Sequence, residues 1–363
     1  MLNGVTKYLN PDYLINGVAI LAFSFFLIVA IIYYTLYIKK RRFVFTNKIQ
    51  QELEIWVTQA ILDENVEGSK YNIPKKFLTN LKTSLAKQFV IDELIKTKKN
   101  LTGTASKNII ALYLELGLKK SSLKKIETSK WSIKAKGIHE LYSMEQFDCF
   151  ELIYKLTNSN NEFVRMEAQI GVINLTGFDG LRFLDDISFP LTGWQQIKLL
   201  DQLKSSDDRE ELSSKIPHWL ISKNDTVIIL ALKLADEYQQ FLVHDKVVKC
   251  LQHKNDLVRN QTIKTLIRIA NETTSHILVE QYARENNINQ LAILDALNKT
   301  ATVDQAWFLI NLLDDESDAV KLKAGRCLAN CFPQGLEALE ERGRAPQGPY
   351  QQIYLHIKSE MER

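Results

Sequence analysis

The chain has 363 residues, with 46 Lys plus Arg, 43 Asp plus Glu and a formal net charge of +3. Its 14 glycines and 7 prolines are about 4% and 2% of the residues, which argues against a turn-rich all-β protein. The four cysteines form no CxxC pair and no regular framework, which excludes a disulfide-stabilised secreted domain and indicates reduced thiols: Cys149, Cys250, Cys327 and Cys331.

The first predicted element is an apolar helix from Tyr13 to Ile38. These 26 residues carry no charge, and a helix of that length measures about 39 Å, enough to cross a hydrocarbon core of about 30 Å. A cleaved signal peptide is the alternative, but the segment has no basic region before it and no small-residue cleavage site after it. We therefore predict a transmembrane helix over residues 13–38, after a short extracytoplasmic N-terminus, residues 1–12.

Tyrosines and cations flank this helix. Tyrosine suits the headgroup level of a bilayer, and four adjacent cations follow the apolar segment, against one lysine before it. We predict a single-pass protein of the inner (cytoplasmic) membrane, and the positive-inside rule places the N-terminus outside and the bulk of the chain in the cytoplasm. The predicted anchor and topology residues are Tyr13, Tyr33, Tyr34, Tyr37, Lys39, Lys40, Arg41 and Arg42.

A basic juxtamembrane segment and stalk, residues 39–72, is expected to continue the helix to Leu62. Pro74 then restarts helix, and apolar residues at helical spacing predict a basic helical region over residues 73–130, with a break at Gly103 and a further helix through Leu118. Residues 70–136 hold 16 lysines and four acidic residues, a net charge of +12. This tract is either a contact with anionic lipid, for which Lys96, Lys98 and Lys99 are the candidates, or a solvated lysine-rich face.

From Trp131 onward the sequence repeats with a period near 31 residues. The repeated phrase has a branched apolar residue followed by a small residue at +4 and an apolar or small one at +8, as in Val320, Ala324 and Leu328. A degenerate copy is expected between Leu191 and Leu203. The register positions are Ile133, Val164, Arg165, Val227, Val258, Arg259, Ile288 and Val320. Acidic or amide residues that precede the phrase are expected to cap free N–H groups and to favour the helix N-terminus: Glu162, Asp225, Asp256, Asn286 and Asp318.

A second apolar segment completes each repeat, as at 241–251 and 306–313. Because two short helices cannot bury their own apolar face, neighbouring repeats must stack. The predicted fold is all-α: a single N-terminal transmembrane helix, a helical linker region and an α-solenoid of about seven two-helix repeats over residues 131–341. Residues 342–363 are predicted to form a Gly/Pro loop and a C-terminal helix.

These repeats resemble the HEAT-repeat family, in particular a short bacterial type with a D-x-x-V-R-x-x-A-like first helix. The resemblance covers residues 131–334 and rests on Asp256-Leu-Val258-Arg259 and on the segment from Glu162 to Ala168. It implies a ladder of arginine and acidic residues between repeats, for which only Arg165 and Arg259 supply the arginine. Together with the anchor, the chain is similar to membrane-anchored bacterial HEAT-repeat proteins, some of which act in envelope glycan assembly.

No catalytic, cofactor-binding or metal-ligating residues are predicted. The chain has no nucleotide-binding glycine loop and no hydrolase motif. His139-Glu140 is a single pair, too few for the di-iron site of HEAT-like hydroxylases. Residues 137–363 have a net charge of −9, which argues against nucleic acid as a partner. Four tryptophans are either groove contacts or, as we favour, core residues: Trp131, Trp194, Trp219 and Trp307.

The function predicted from the sequence is a membrane-tethered, non-enzymatic scaffold or adaptor. Its groove would bind a protein partner, with an integral membrane protein among the candidates, and an envelope glycan-assembly system is one setting. No cofactor is expected. The alternative is a HEAT-like enzyme of the lyase type or another catalytic solenoid.

Overall fold

The computed structural model describes residues 11–62, 73–203, 209–344 and 350–361. Over these ranges the chain is all-α, with 19 α-helices, several 3₁₀ turns and no strand, as predicted. The predicted N-terminal tail up to residue 10, the breaker-rich segment 63–72 and the Gly/Pro loop at 345–349 lie outside the described residues. The chain divides into two compact units, Met1–Glu145 and Gln146–Arg363.

The first unit contains six described helices. They are α1 (Pro11–Leu62), α2 (Lys75–Asn80), α3 (Ser84–Lys99), α4 (Gly103–Glu115), α5 (Lys119–Ile126) and α6 (Trp131–Ser143).

Helix α1 combines two different environments in one unbroken element of 52 residues. Its first half is apolar and exposed, whereas Ile49, Leu53 and Ala60 in its second half are buried in the core that α3 and α4 complete. The buried Asn108 side chain donates a hydrogen bond to the Ala60 carbonyl at 3.0 Å. The continuation to Leu62 is therefore confirmed, and the stalk is also a core helix of the first unit.

Helix α4 is delimited by two glycines with positive φ, Gly103 (+63°) and Gly117 (+64°). The Leu118 N–H donates to the Tyr113 carbonyl at 3.2 Å and the Gly117 N–H to Leu114 at 2.9 Å, the hydrogen-bond pattern of a Schellman C-cap. The predicted helix through Leu118 was therefore too long, because Gly117 ends it at Glu115.

The second unit contains thirteen described helices. They are α7 (Phe150–Tyr154), α8 (Glu162–Thr176), α9 (Gly193–Leu203), α10 (Arg209–Trp219), α11 (Asp225–Glu237), α12 (His244–Lys249), α13 (Asp256–Arg268), α14 (Thr274–Tyr282), α15 (Asn287–Thr300), α16 (Ala306–Asn311), α17 (Asp318–Cys331), α18 (Gly335–Gly343) and α19 (Tyr350–Met361).

The spacing of helix starts in the second unit matches the period found in the sequence. Helices α8, α9, α11, α13, α15 and α17 begin 31 or 32 residues apart. Helix α9 is the degenerate copy expected between Leu191 and Leu203. Helices α11, α13, α15 and α17 pack one on the next, and each apolar second segment forms a short helix or a 3₁₀ turn. Periodicity thus corresponds to repeated helix starts.

Asparagine residues, rather than the predicted acidic residues, cap most of these helices. The Asn161 side chain accepts hydrogen bonds from the Phe163 and Val164 N–H groups. Asn224 and Asn255 cap α11 and α13 in the same way, and only Asn286 was predicted correctly. The four predicted acidic residues lie one position later, in the first turn, where their charge favours the helix N-terminus: Glu162, Asp225, Asp256 and Asp318.

Two of the predicted apolar register positions are exposed in the structure. Val164, Val227, Val258 and Val320 are buried, but Ile133 and Ile288 are 40% and 72% exposed. In α15 the next residue, Asn289, is buried instead. A polar side chain can take this place because the Asn289 amide donates to Glu285 at 2.7 Å and its oxygen accepts from Asn260 at 2.9 Å.

Candidate functional site

The predicted anchor residues lie on the exposed half of α1. One helix in the described ranges is long and apolar enough to cross a membrane, with an 18-residue window of mean hydropathy 2.6, none of it buried. Tyr33, Tyr34 and Tyr37 are exposed, and so are the four cations of residues 39–42. Tyr13 lies in the first turn of α1, ahead of the described side chains.

The three candidate lipid-contacting lysines are not equivalent. Lys98 forms a 2.7 Å ion pair with Glu145, and its side chain is only 15% exposed. Lys96 is 75% exposed and 3.8 Å from Glu93, and Lys99 is exposed. Only Lys96 and Lys99 therefore present their ammonium groups at the surface in the way the lipid hypothesis requires.

Glu140 is buried in a polar network inside the first unit. Its carboxylate accepts hydrogen bonds from Ser122 at 2.7 Å and Gln88 at 2.8 Å, and it pairs with Lys125 at 2.6 Å. Neighbouring His139 contacts Tyr142 instead. The His-Glu pair is thus divided between two structural networks, and no group of three or more metal-ligating side chains occurs in the described residues.

In the second unit, the starts of successive helices are joined by an asparagine–aspartate ladder. The Asn255 amide, at the start of α13, donates to Asp225 at the start of α11 at 2.7 Å. Asn286 donates to Asp256 in the same way at 3.0 Å, one helix further on. We call this side of the unit the helix-start edge. Its ladder holds neighbouring helices in register, and the sequence signal was the recurring Asn–acid pair.

Exposed apolar side chains line the helix-start edge. The second residue is large, apolar and 51–72% exposed in α8, α9, α13 and α15: Phe163, Trp194, Leu257 and Ile288. Leu257 and Ile288 lie on α13 and α15, which the ladder joins at their starts, and Phe163 and Trp194 lie on α8 and α9, which pack together. Thr226 takes this position in α11, so the exposed row consists of two pairs. Such a row is typical of protein-binding surfaces.

A cleft of about 990 Å³ opens beside the start of α11. Asp185 in its wall accepts a 2.7 Å hydrogen bond from the buried Trp219 indole, and Asp225 is held by Asn255. Lys223 and Lys254 also line the cleft. Held carboxylates and exposed lysines therefore lie side by side in this cleft.

The two predicted ladder arginines have different roles. Arg259 pairs with Asp256 at 2.5 Å and with Glu285 at 2.8 Å, and these carboxylates raise its pKa. Arg165 lies 4.1 Å over the Phe189 ring and donates to the Ser159 carbonyl, while burial lowers its pKa. Of these two arginines only Arg259 pairs with carboxylates. Asp256 belongs to the same repeat as Arg259, and Glu285 lies in the loop that follows it.

The tryptophans also differ from the core assignment that we favoured. Only Trp219 is buried, at 2% exposure, whereas Trp131, Trp194 and Trp307 are 47%, 61% and 75% exposed. The exposed tryptophans lie near helix starts, where the repeat pattern places no core position. The core assignment was wrong for these three residues.

The cysteines behave as buried thiols. Cys149, Cys250 and Cys327 are buried, Cys331 is partly exposed, and no disulfide joins any of them in the described residues. Burial raises the pKa of Cys250 to about 11 and that of Cys327 to about 12. These thiols are therefore poor nucleophiles at neutral pH.

Comparison with known proteins does not assign a family. No family model and no curated protein matches the chain. Among solved structures, the chain is similar to a crystal structure of an engineered protein at 14% identity, with 86% of this chain and 99% of that one covered and a TM-score of 0.38. At that TM-score the likeness carries no argument about fold or function.

Proposed function

We propose that the protein is a single-pass, membrane-tethered scaffold, without enzymatic activity, whose second unit belongs to a HEAT-like α-solenoid of about seven two-helix repeats and binds a protein partner. The membrane is the bacterial inner membrane, with the N-terminus outside. The partner is a protein of the same membrane or one recruited to it, and an envelope glycan-assembly system is one such setting.

The observation that carries this proposal is the continuity of α1. The exposed apolar segment has no stabilising neighbour among the described residues of the first unit, and burying it in lipid is worth about 25 cal/mol per Å² of apolar surface. The same helix continues into a packed core through Ile49 and Leu53. An apolar segment joined in this way to a folded unit is what a membrane tether requires.

Partner binding is supported by the row on the helix-start edge. Leu257 and Ile288 lie on helices that pack together, and their exposure, 68% and 72%, leaves apolar surface that a partner would cover. The neighbouring Asp225, which unlike Asp256 has no arginine partner among the described residues, favours a partner segment that combines apolar side chains with lysine or arginine.

The tether is tested by topology. A cysteine introduced at Asn3 should react with an impermeant maleimide in intact spheroplasts, and one at the exposed Ser359 should react only after lysis. The full-length protein should also stay in the membrane fraction after an alkaline wash. The reverse labelling, or release by the wash, would refute the tether.

The scaffold function is tested by crosslinking in cells. Leu257→Glu combined with Ile288→Glu should abolish a defined crosslinked species that the wild type forms. Val303→Glu is the matched control, because Val303 is 78% exposed but lies in the 3₁₀ turn before α16 and not at the start of a helix joined by the ladder. Equal loss in both variants would argue against a binding surface at this edge.

A further inference from the structure

A second cleft lies beside the cationic end of the apolar segment, within the first unit. It has a volume of about 510 Å³, in the range of small-ligand sites. One wall is a single face of α1, on which Tyr34, Ile38, Arg41 and Phe45 follow at helical spacing, and Leu85 of α3 forms the other wall. Ile38 and Phe45 are half-buried there, although residues 15–37 of α1 are exposed.

The charge of this cleft is not compensated. Arg41 and Arg42 line it, none of its described lining residues is a carboxylate, and neither arginine has an ion pair or hydrogen bond with another described residue. Some cations elsewhere in the first unit do have partners, as Lys98 has Glu145 and Lys136 has Asp92 at 3.1 Å. Two guanidinium groups without counterions at one concave site favour an anion with several acceptor oxygens.

The polarity of the cleft changes along the helix axis. Tyr34 and Ile38 lie toward the apolar segment, and Arg41 is seven residues beyond Tyr34, a rise of about 10.5 Å. A phospholipid has the same order of groups over a similar distance, with acyl chains first, then glycerol and then phosphate. A free anion would use only the arginine end.

We propose that this cleft binds one anionic phospholipid, with the phosphate between Arg41 and Arg42 and the acyl–glycerol region against Tyr34 and Ile38. The proposal rests on the membrane tether of the proposed function, since the lipid comes from the bilayer that α1 crosses. Leu85 closes the cleft from α3, so the bound lipid contacts two helices of the first unit and stabilises their junction.

The experiment is native mass spectrometry of the full-length protein in detergent, titrated with phosphatidylglycerol or with phosphatidylcholine. The wild type should retain one phosphatidylglycerol with at least about tenfold preference, because the choline ammonium opposes the arginines. Arg41→Gln with Arg42→Gln should weaken phosphatidylglycerol retention at least about tenfold. Leu85→Glu, which adds a carboxylate to the cleft and removes no cation, should weaken it similarly.

The matched control is Lys39→Gln with Lys40→Gln. These lysines adjoin the arginines, and replacing them removes the same charge, but they do not line the cleft. Their loss should change retention by less than about threefold if the site is the cleft and not diffuse attraction. Equal effects of the two double variants would overturn the proposal.

Two further outcomes are decisive. Displacement of the lipid by excess inorganic phosphate would show that the site holds free phosphate, which would overturn the assignment to a phospholipid. A wild-type protein that stays in alkaline-washed membranes but prefers neither lipid would overturn the lipid site and leave the tether standing. Release from washed membranes would instead refute the tether on which the site depends.

Discussion

Replacing Glu285 with alanine should be among the most destabilising single changes in the second unit. The Glu285 side chain has no exposed surface, and it accepts hydrogen bonds from Arg259 at 2.8 Å, Gln281 at 2.7 Å and Asn289 at 2.7 Å. Removing it takes the shared acceptor from three donors, at about 1–3 kcal/mol for each donor left unsatisfied, while Asp256 still neutralises Arg259. The expected total is therefore about 3–5 kcal/mol. For a unit of this size that corresponds to a fall in Tm of about 6–20 °C.

Thermal unfolding of the full-length protein, followed by tryptophan fluorescence, measures this effect. The control is Glu151→Ala, which removes an ion pair with Arg182 of nearly the same length, 2.9 Å. Glu151 is 71% exposed, so its loss should cost less than about 1 kcal/mol. A Glu285→Ala protein no less stable than the Glu151→Ala protein would refute the reasoning that burial determines the strength of this pair.

Three further predictions concern single side chains of the second unit. Gly335→Ala should destabilise by at least about 2 kcal/mol, because its Cβ would lie 1.8 Å from the Leu328 carbonyl oxygen, whereas Gly193→Ala has no atom within 4 Å and should be neutral in the same melts. Cys327 should resist a thiol reagent at pH 8 until the protein unfolds, since a pKa of about 12 leaves a thiolate fraction on the order of 10⁻⁴; rapid labelling of the folded protein would contradict this. Burial raises the pKa of Asp236, so the stability that its proton provides is lost as pH rises through the folded-state pKa; Asp236→Asn should therefore stabilise at neutral pH and show no gain at acidic pH.

Apolar spacing predicted where helices form better than which residues they bury. All six copies of the phrase fall on helices, because a period of 31 residues depends on many positions at once. The register of α15 was missed by one residue because an apolar Ile288 was expected inside and a buried Asn289 was not. Only the positions of Glu285 and Asn260, which are set by the fold, make a buried asparagine stable there.

The candidate sites were less predictable than the helices. The sequence indicated the cations at 41 and 42, but the cleft needs Leu85, which is more than forty residues away in the chain and is brought there by the packing of α3 against α1. The exposed row was hidden because each of its members looks like an ordinary core residue in the local pattern. The cleft and the exposed row both depend on packing between residues far apart in the sequence, about which local periodicity contains no information.

The unbroken course of α1 has a geometric consequence for the proposed tether. A continuous helix fixes rotation as well as distance, since each residue advances about 1.5 Å and turns about 100°. Inserting one residue between Arg42 and Ile49 would therefore turn the packed part of the first unit, which follows the insertion, by about 100° about the axis of α1. Inserting seven residues would nearly restore its direction, about 10.5 Å further along that axis. The length of this segment thus sets which side of the first unit faces along the membrane plane.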